Sequence, residues 1–208
     1  MGTGLSRNST DHKKIEEEDQ PLSEERSAEG RPEIRRSQLK RECFLLAKDL
    51  TIACVVCLII WLYLFQPFTV QGTSMLPTLE NGQRIIVNKF AYHFRHIKRG
   101  EIVVFYYPLD PDESFIKRVI ALPGDLVEIN NGYVYINGEK LDEPYIVRKY
   151  RDPEDISEIQ IQPGHYFVLG DHRNGSNDSR AGWQVPQRYI YGKAVLRYWP
   201  PVTFGLLH

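Results

Sequence analysis

Two residues in this chain sit in surroundings that suit bond-making chemistry: Ser74, within Gly72-Thr73-Ser74-Met75-Leu76-Pro77-Thr78-Leu79, and Lys117, within Phe115-Ile116-Lys117-Arg118-Val119. A serine hydroxyl attacks a carbonyl only when a base takes its proton. No second glycine follows Gly72-x-Ser74, so the segment is not a hydrolase nucleophile elbow. His93 and His96 have no third ligand type beside them and read as surface or packing histidines, which predicts neither a histidine base nor a metal site. Lysine can replace histidine once it is neutral, and burial among apolar groups lowers its pKa by penalising the charged form. If residues 115–121 form a strand, the two-residue period puts Phe115, Lys117 and Val119 on one face and Ile116, Arg118 and Ile120 on the other. Lys117 then shares an apolar face, and Arg118 points away. By itself, a strand lysine more often snorkels from an edge, so the pattern alone does not pair Lys117 with Ser74.

A third polar constellation follows a β-like run: Gly170-Asp171-His172-Arg173-Asn174-Gly175-Ser176-Asn177-Asp178-Ser179-Arg180. Arg173 stands where a calcium loop needs an oxygen ligand, and no glutamate closes the loop. Asn174-Gly175-Ser176 and Asn177-Asp178-Ser179 have the form of glycosylation sequons, but a glycan would disrupt a buried polar network here. An ordinary turn-rich loop competes on composition. The chemical alternative is that Ser176 bonds a neutral lysine amine while Asp178 and Arg180 pair and fix the loop.

These residues need a scaffold, and the 208-residue chain has room for one substantial core plus an anchor and a tail. A net charge of -1 makes nucleic acid a poor default partner. Cys43, Cys54 and Cys57 all lie in or beside the one long apolar run, so the remainder must stand without disulfides. Residues 1–42 are polar and charged and read as a disordered cytoplasmic tail. Residues 43–66 read as a transmembrane helix. Its uncharged part, from Leu50 to Phe65, covers roughly 24 Å and needs extension through Phe44–Ala47, with Lys48 snorkelling and Asp49 interfacial or locally paired. Pro67 is expected to stop it. Arg31, Arg35, Arg36, Lys40 and Arg41 precede the run and no Lys or Arg follows until Arg84, which predicts a cytoplasmic N-terminus and an outer C-terminal domain. A cleaved signal peptide fits less well, since the preceding segment is long and no small-x-small site follows Phe65.

Residues 67–208 carry short β-like runs at 84–87, 101–106, 115–121, 126–129, 133–136, 166–169 and 194–198. Asn130-Asn131-Gly132 and Asn137-Gly138 are turn signals, the first fitting a hairpin. The expected fold is mainly β, with antiparallel sheets rather than βαβ units. Residues 151–158, with Pro153 and several acids, read as an exposed loop or short helix.

Four segments in order across residues 66–200 resemble bacterial type I signal peptidase, the membrane-anchored Ser/Lys endopeptidase that removes signal peptides from exported proteins. They are Gly72 to Leu79, Gly100-Glu101-Ile102-Val103-Val104-Phe105, Lys117-Arg118-Val119-Ile120-Ala121-Leu122-Pro123-Gly124-Asp125, and Gly170-Asp171 through Asp178-Ser179-Arg180. The resemblance implies Ser74 as nucleophile, Lys117 as general base, Ser176 orienting the lysine, and Asp178 with Arg180 supporting the site. It implies that Phe68, Val70, Met75, Leu79 and Ile116 line shallow pockets for small side chains such as alanine, at the first and third residues before the cut. It also implies preprotein signal peptides, membrane lipid and the export translocon as partners, and no cofactor. Gly72 stands where some members place a serine donor, so the oxyanion would rely on the Ser74 backbone N–H with a second main-chain or water donor. Asn174-Gly175 also departs from a more frequent polar or charged pair.

Two rivals keep the same machinery: a self-cleaving repressor-type protease and a specialised pilin- or conjugation-processing peptidase. The apolar run and the lack of a DNA-binding module argue against the first. A third is a membrane-tethered β-domain that binds peptides without cutting them, in which Ser74 is only a cap or turn residue.

Overall fold

The computed structural model describes residues 31–207. Most of the segment expected to be a disordered tail therefore lies outside the described residues. A helix, α1, runs from Arg31 to Leu64 and so starts ahead of the expected boundary at Cys43. Its stretch Gln38–Leu64 is long and apolar enough to cross a membrane. These 27 residues cover about 40 Å, more than a hydrocarbon core of about 30 Å requires. Lys48 and Asp49 pair locally at 3.7 Å. Leu46, Leu50, Ile59 and Leu62 are all exposed, as on a helix that would meet lipid rather than water.

The helix ends at Leu64, and the chain becomes β1 (Phe65–Thr69) before it reaches Pro67. The strands that follow are β2 (Arg84–Asn88), β3 (Ile102–Tyr107), β4 (Asp110–Ala121), β5 (Leu126–Asn130), β6 (Tyr133–Ile136), β7 (Glu139–Lys140), β8 (Ile156–Gln160), β9 (His165–Leu169), β10 (Val185–Pro186), β11 (Ile190–Trp199) and β12 (Gly205–Leu206). The larger sheet has the order β1-β2-β11-β3-β4-β9-β10, with β12 beside β11, and the smaller has the order β7-β6-β5-β8. Every pairing is antiparallel, as the short runs and tight turns predict. Asn131 (φ 47°) and Gly132 (φ 72°) make the left-handed turn between β5 and β6 that Asn-Gly favours.

One expectation needs correction. Within residues 151–158, read as loop or short helix, the last part enters β8, which pairs with β5 through Val127↔Ile159 and Ile129↔Ile156. Ile156 and Ile159 supply the reason, since both pack on the core of the smaller sheet around Val127, Val134 and Ile161.

Both faces of β3 are covered. Ile102 and Val104 join one core cluster with Met75, Leu79, Val87 and Ile116, while Val103 and Phe105 join another with Val119, Val168 and Trp183. A strand covered on both faces reads as a continuous apolar run, as Ile-Val-Val-Phe does. β4 lies against β3 with Val103 opposite Lys117. The central strand that carries the lysine is thus held rigidly between two cores.

Candidate active site

The turn that carries Ser74 is fixed from below. Met75 and Leu79 are fully buried in the first core cluster, and Leu79 N–H donates to Met75 O at 2.8 Å, so one helix-like turn has its apolar side pinned. Gly72 enters this turn with φ 84°, a conformation that costs any other residue, and its N–H donates to Asn81 Oδ1 at 2.9 Å. The Ser74 hydroxyl points the other way, to Lys117 Nζ at 2.7 Å.

Lys117 is 4% exposed and its Nζ lies 5.1 Å from the centre of the Phe115 ring. Burial pushes its pKa from 10.5 down to about 8, against the opposing pull of the Asp178 and Asp171 carboxylates. Near pH 8, half of such amines are neutral and able to accept a proton from the hydroxyl they touch. Ser74 and Lys117 are 43 positions apart, and the fold brings them into direct contact.

Arg118, on the other face of β4, is 3% exposed. Its guanidinium grips Asp171 at two points (Nε to Oδ1 2.9 Å, NH2 to Oδ2 2.8 Å), donates to Gly100 O at 2.8 Å and lies over the Tyr145 ring at 3.9 Å. Asp171 Oδ2 also accepts from Thr78 Oγ1. The Gly170–Arg180 loop is tied to the Ser74 turn and to β4 through this carboxylate.

Within that loop, Asp178 accepts from Gly170 N–H at 3.1 Å and from Arg180 Nε at 2.8 Å. Arg180 reaches on to Asp152 (3.1 Å), Glu154 (3.3 Å) and the Arg173 carbonyl. Arg173 is buried and paired with the buried Glu143. The Ser176 hydroxyl is buried with no partner among the described residues. It crowds on the same glycine as Ser74, because a Cβ on Gly170 would lie 2.3 Å from Ser176 Oγ and 2.4 Å from Ser74 O.

A cleft of about 630 Å³ opens over the Ser74–Lys117 pair. Pro67, Phe68, Thr69, Gln71 and Gly72 line one side, Asp112, Ser114, Phe115 and Ile116 another, with Gly175 and Asn177 at the loop. Of the five residues expected to form side-chain pockets, Phe68 and Ile116 line this cleft, while Val70, Met75 and Leu79 are packed in the core beneath it. β9 pairs with β4 from Arg118 onward, so β4 from Asp112 to Lys117 has β3 on one flank and the cleft on the other. No cluster of His, Cys, Asp and Glu among the described residues has a metal-holding arrangement.

Sequence reasoning passed over Asp171, Thr78, Glu143 and Arg173, and it set Arg118 on the face away from Lys117 without naming a partner for it. The signal available was the pairing of opposite charges among short boxed motifs, Lys117-Arg118 against Gly170-Asp171, which the strand period could not resolve into contacts.

A buried lysine against a serine above a β-sheet cleft, in a chain that also holds a helix fit to span a membrane, is the arrangement a membrane-associated Ser/Lys hydrolase would need. The family model described as signal peptidase, peptidase S26, matches residues 43–199. The probable signal peptidase I-1 of Synechocystis sp. is 41% identical over 166 residues, covering 76% of this chain and 83% of that protein. Signal peptidase I of Bacillus caldolyticus is 40% identical over 167 residues, covering 74% and 90% respectively. Signal peptidase IB of Staphylococcus aureus is 34% identical over 179 residues, covering 78% and 92%. The chain belongs to the signal peptidase family, and it is a serine endopeptidase that removes signal peptides.

Proposed function

We propose that Ser74 is the nucleophile and Lys117 the general base of this signal peptidase, and that it cuts preproteins after Ala-x-Ala-type sites. The observation that carries this reading is the 2.7 Å contact between Ser74 Oγ and an amine whose pKa burial has brought down to about 8. Neutral Lys117 takes the Ser74 proton as Oγ attacks the scissile carbonyl, and the resulting ammonium protonates the leaving amine. The acyl-enzyme is then opened by water, with Lys117 again as base. Among the described residues the Ser74 N–H has no acceptor, which leaves it for the oxyanion, whereas the Gly72 N–H is already given to Asn81. Gly72 therefore contributes its left-handed backbone and the absence of a side chain. Ser176, buried and unpartnered, is suited to orient Lys117, with Asp178 and Arg180 holding its loop.

The substrate lies in the cleft as an extended strand along the free flank of β4, opposite Pro67 to Gln71. Phe68 and Ile116 present apolar walls there, and Val70, Met75 and Leu79 set the pocket floor through the core. Gln38–Leu64 is a single membrane pass with the N-terminus cytoplasmic, supported by the basic residues that precede it and their absence before Arg84. Membrane lipid and the export translocon are then its neighbours.

The test is cleavage of a preprotein, or of a peptide carrying an Ala-x-Ala site, by the detergent-solubilised full chain. Ser74→Ala and Lys117→Ala should each abolish cleavage at that bond. Activity in both variants would overturn the dyad, and a wild type that binds the peptide without cutting it would support the non-catalytic rival.

A further inference from the structure

We propose that His172 is a positioning residue that clamps the backbone of the nucleophile turn, and that the glycine at 175 exists to make room for its ring. The inference rests on Ser74 being the nucleophile and extends that reading to a residue with no assigned role.

His172 holds the turn at two consecutive carbonyls. Its backbone N–H donates to Ser74 O at 3.0 Å, and its ring Nδ1 lies 3.1 Å from Thr73 O. A carbonyl only accepts, so the ring must present Nδ1–H here. Thr73 O also accepts from Leu76 N–H at 3.1 Å, the bond that starts the turn. The imidazole thus adds a second donor to the oxygen just before the nucleophile. Its own orientation is fixed by the Tyr150 ring, whose centre lies 4.3 Å away.

The ring also explains Gly175. A Cβ at that position would fall 2.7 Å from His172 Cε1 and 2.8 Å from Nδ1, closer than non-bonded carbon and nitrogen atoms approach. Gly175 has no left-handed φ among the described backbone angles, so the requirement comes from the ring. Gly175 N–H also donates to His172 O at 3.0 Å, closing the two residues into one short turn. Because Gly175 lines the cleft beside Ser74 and Lys117, a side chain there would displace the clamp and narrow the site at once.

Held by one donor rather than two, the turn can shift, and a misplacement of about 1 Å in a reacting atom costs on the order of a hundredfold in rate. The cost should fall on kcat and leave KM nearly unchanged, since His172 does not line the cleft.

The experiment measures kcat and KM for the Ala-x-Ala peptide with detergent-solubilised full-length wild type, Ser74→Ala, His172→Ala, His172→Asn, Gly175→Ala and the double variant His172→Ala/Gly175→Ala. Loss of kcat by about tenfold or more in His172→Ala, and recovery in His172→Asn, whose Nδ2 can take the place of Nδ1, are expected. Gly175→Ala should lose kcat by itself and lose clearly less in the His172→Ala background, where only the narrowing of the cleft is left. A wild-type kcat in His172→Ala, an Asn variant as poor as the Ala variant, or fully multiplicative losses in the double variant would each overturn the clamp. If Ser74→Ala retains activity, the nucleophile assignment fails instead, and the two failures are told apart.

Discussion

Asp171 holds Arg118 through both carboxylate oxygens, at 2.9 and 2.8 Å, with side chains only 1% and 4% exposed. Each partner is the chain neighbour of a residue that touches Ser74: Arg118 follows Lys117, and Asp171 precedes His172. The pair is therefore a tie between the strand that carries Lys117 and the loop that holds the Ser74 turn. Removing one member leaves the other charged and buried, which costs about 3–5 kcal/mol, whereas replacing both with apolar residues costs much less. Thermal unfolding of Asp171→Asn, Arg118→Met and the double variant Arg118→Met/Asp171→Leu should show each single change more harmful than the double.

Cleavage should follow the ionisation of Lys117. Burial brings its pKa to about 8, and only the neutral amine serves as base, so kcat/KM rises with pH through that value and levels off above it. A pH profile of peptide cleavage that is flat between 6 and 9 would contradict this. Lys117→Arg should be inactive at every pH, because a guanidinium keeps its proton.

The same burial has a stability signature of known sign. Folded Lys117 releases its proton near pH 8 and the unfolded residue near 10.4, so the unfolded chain binds more protons between these values and stability increases with pH across that window. Below pH 8 the full cost of burying the charge is present. Lys117→Met should therefore stabilise the domain at pH 7 by about 1–3 kcal/mol, with the gain shrinking above pH 8. Denaturant titrations at pH 7 and pH 9.5 would read both effects.

Gly170→Ala should remove activity. The added Cβ would meet Ser176 Oγ at 2.3 Å and the Ser74 carbonyl at 2.4 Å, and the second is backbone that cannot swing aside. A fall in kcat of about a hundredfold, with only a modest fall in unfolding temperature, is expected from kinetics and melting on the same preparation. Wild-type kcat would show that the nucleophile turn yields freely.

The two-residue period of Phe115-Ile116-Lys117 put the lysine on an apolar face without giving it a partner, and only the resemblance of its motif and that of Ser74 to one family joined the two. Arg118 was harder. Alternation tells which face a residue occupies but not whether that face is covered, and in β3 and β4 both faces are. Met75 and Leu79 illustrate the reverse problem: apolar residues beside a nucleophile suit a pocket wall and a core anchor equally, and only packing places them in the core. β1 was hidden by Pro67, which reads as a breaker but is tolerated because β1 is the outermost strand of its sheet. Pro153 and its acidic neighbours masked the start of β8 in the same way.

The depressed pKa of Lys117 is a property of the folded domain alone. In a nascent or unravelled chain the amine is hydrated and charged, Ser74 is far from it, and no group is present to take the hydroxyl proton. On the proposed dyad, peptidase activity should appear only once β3, β4 and the Gly170–Arg180 loop have closed around one side chain.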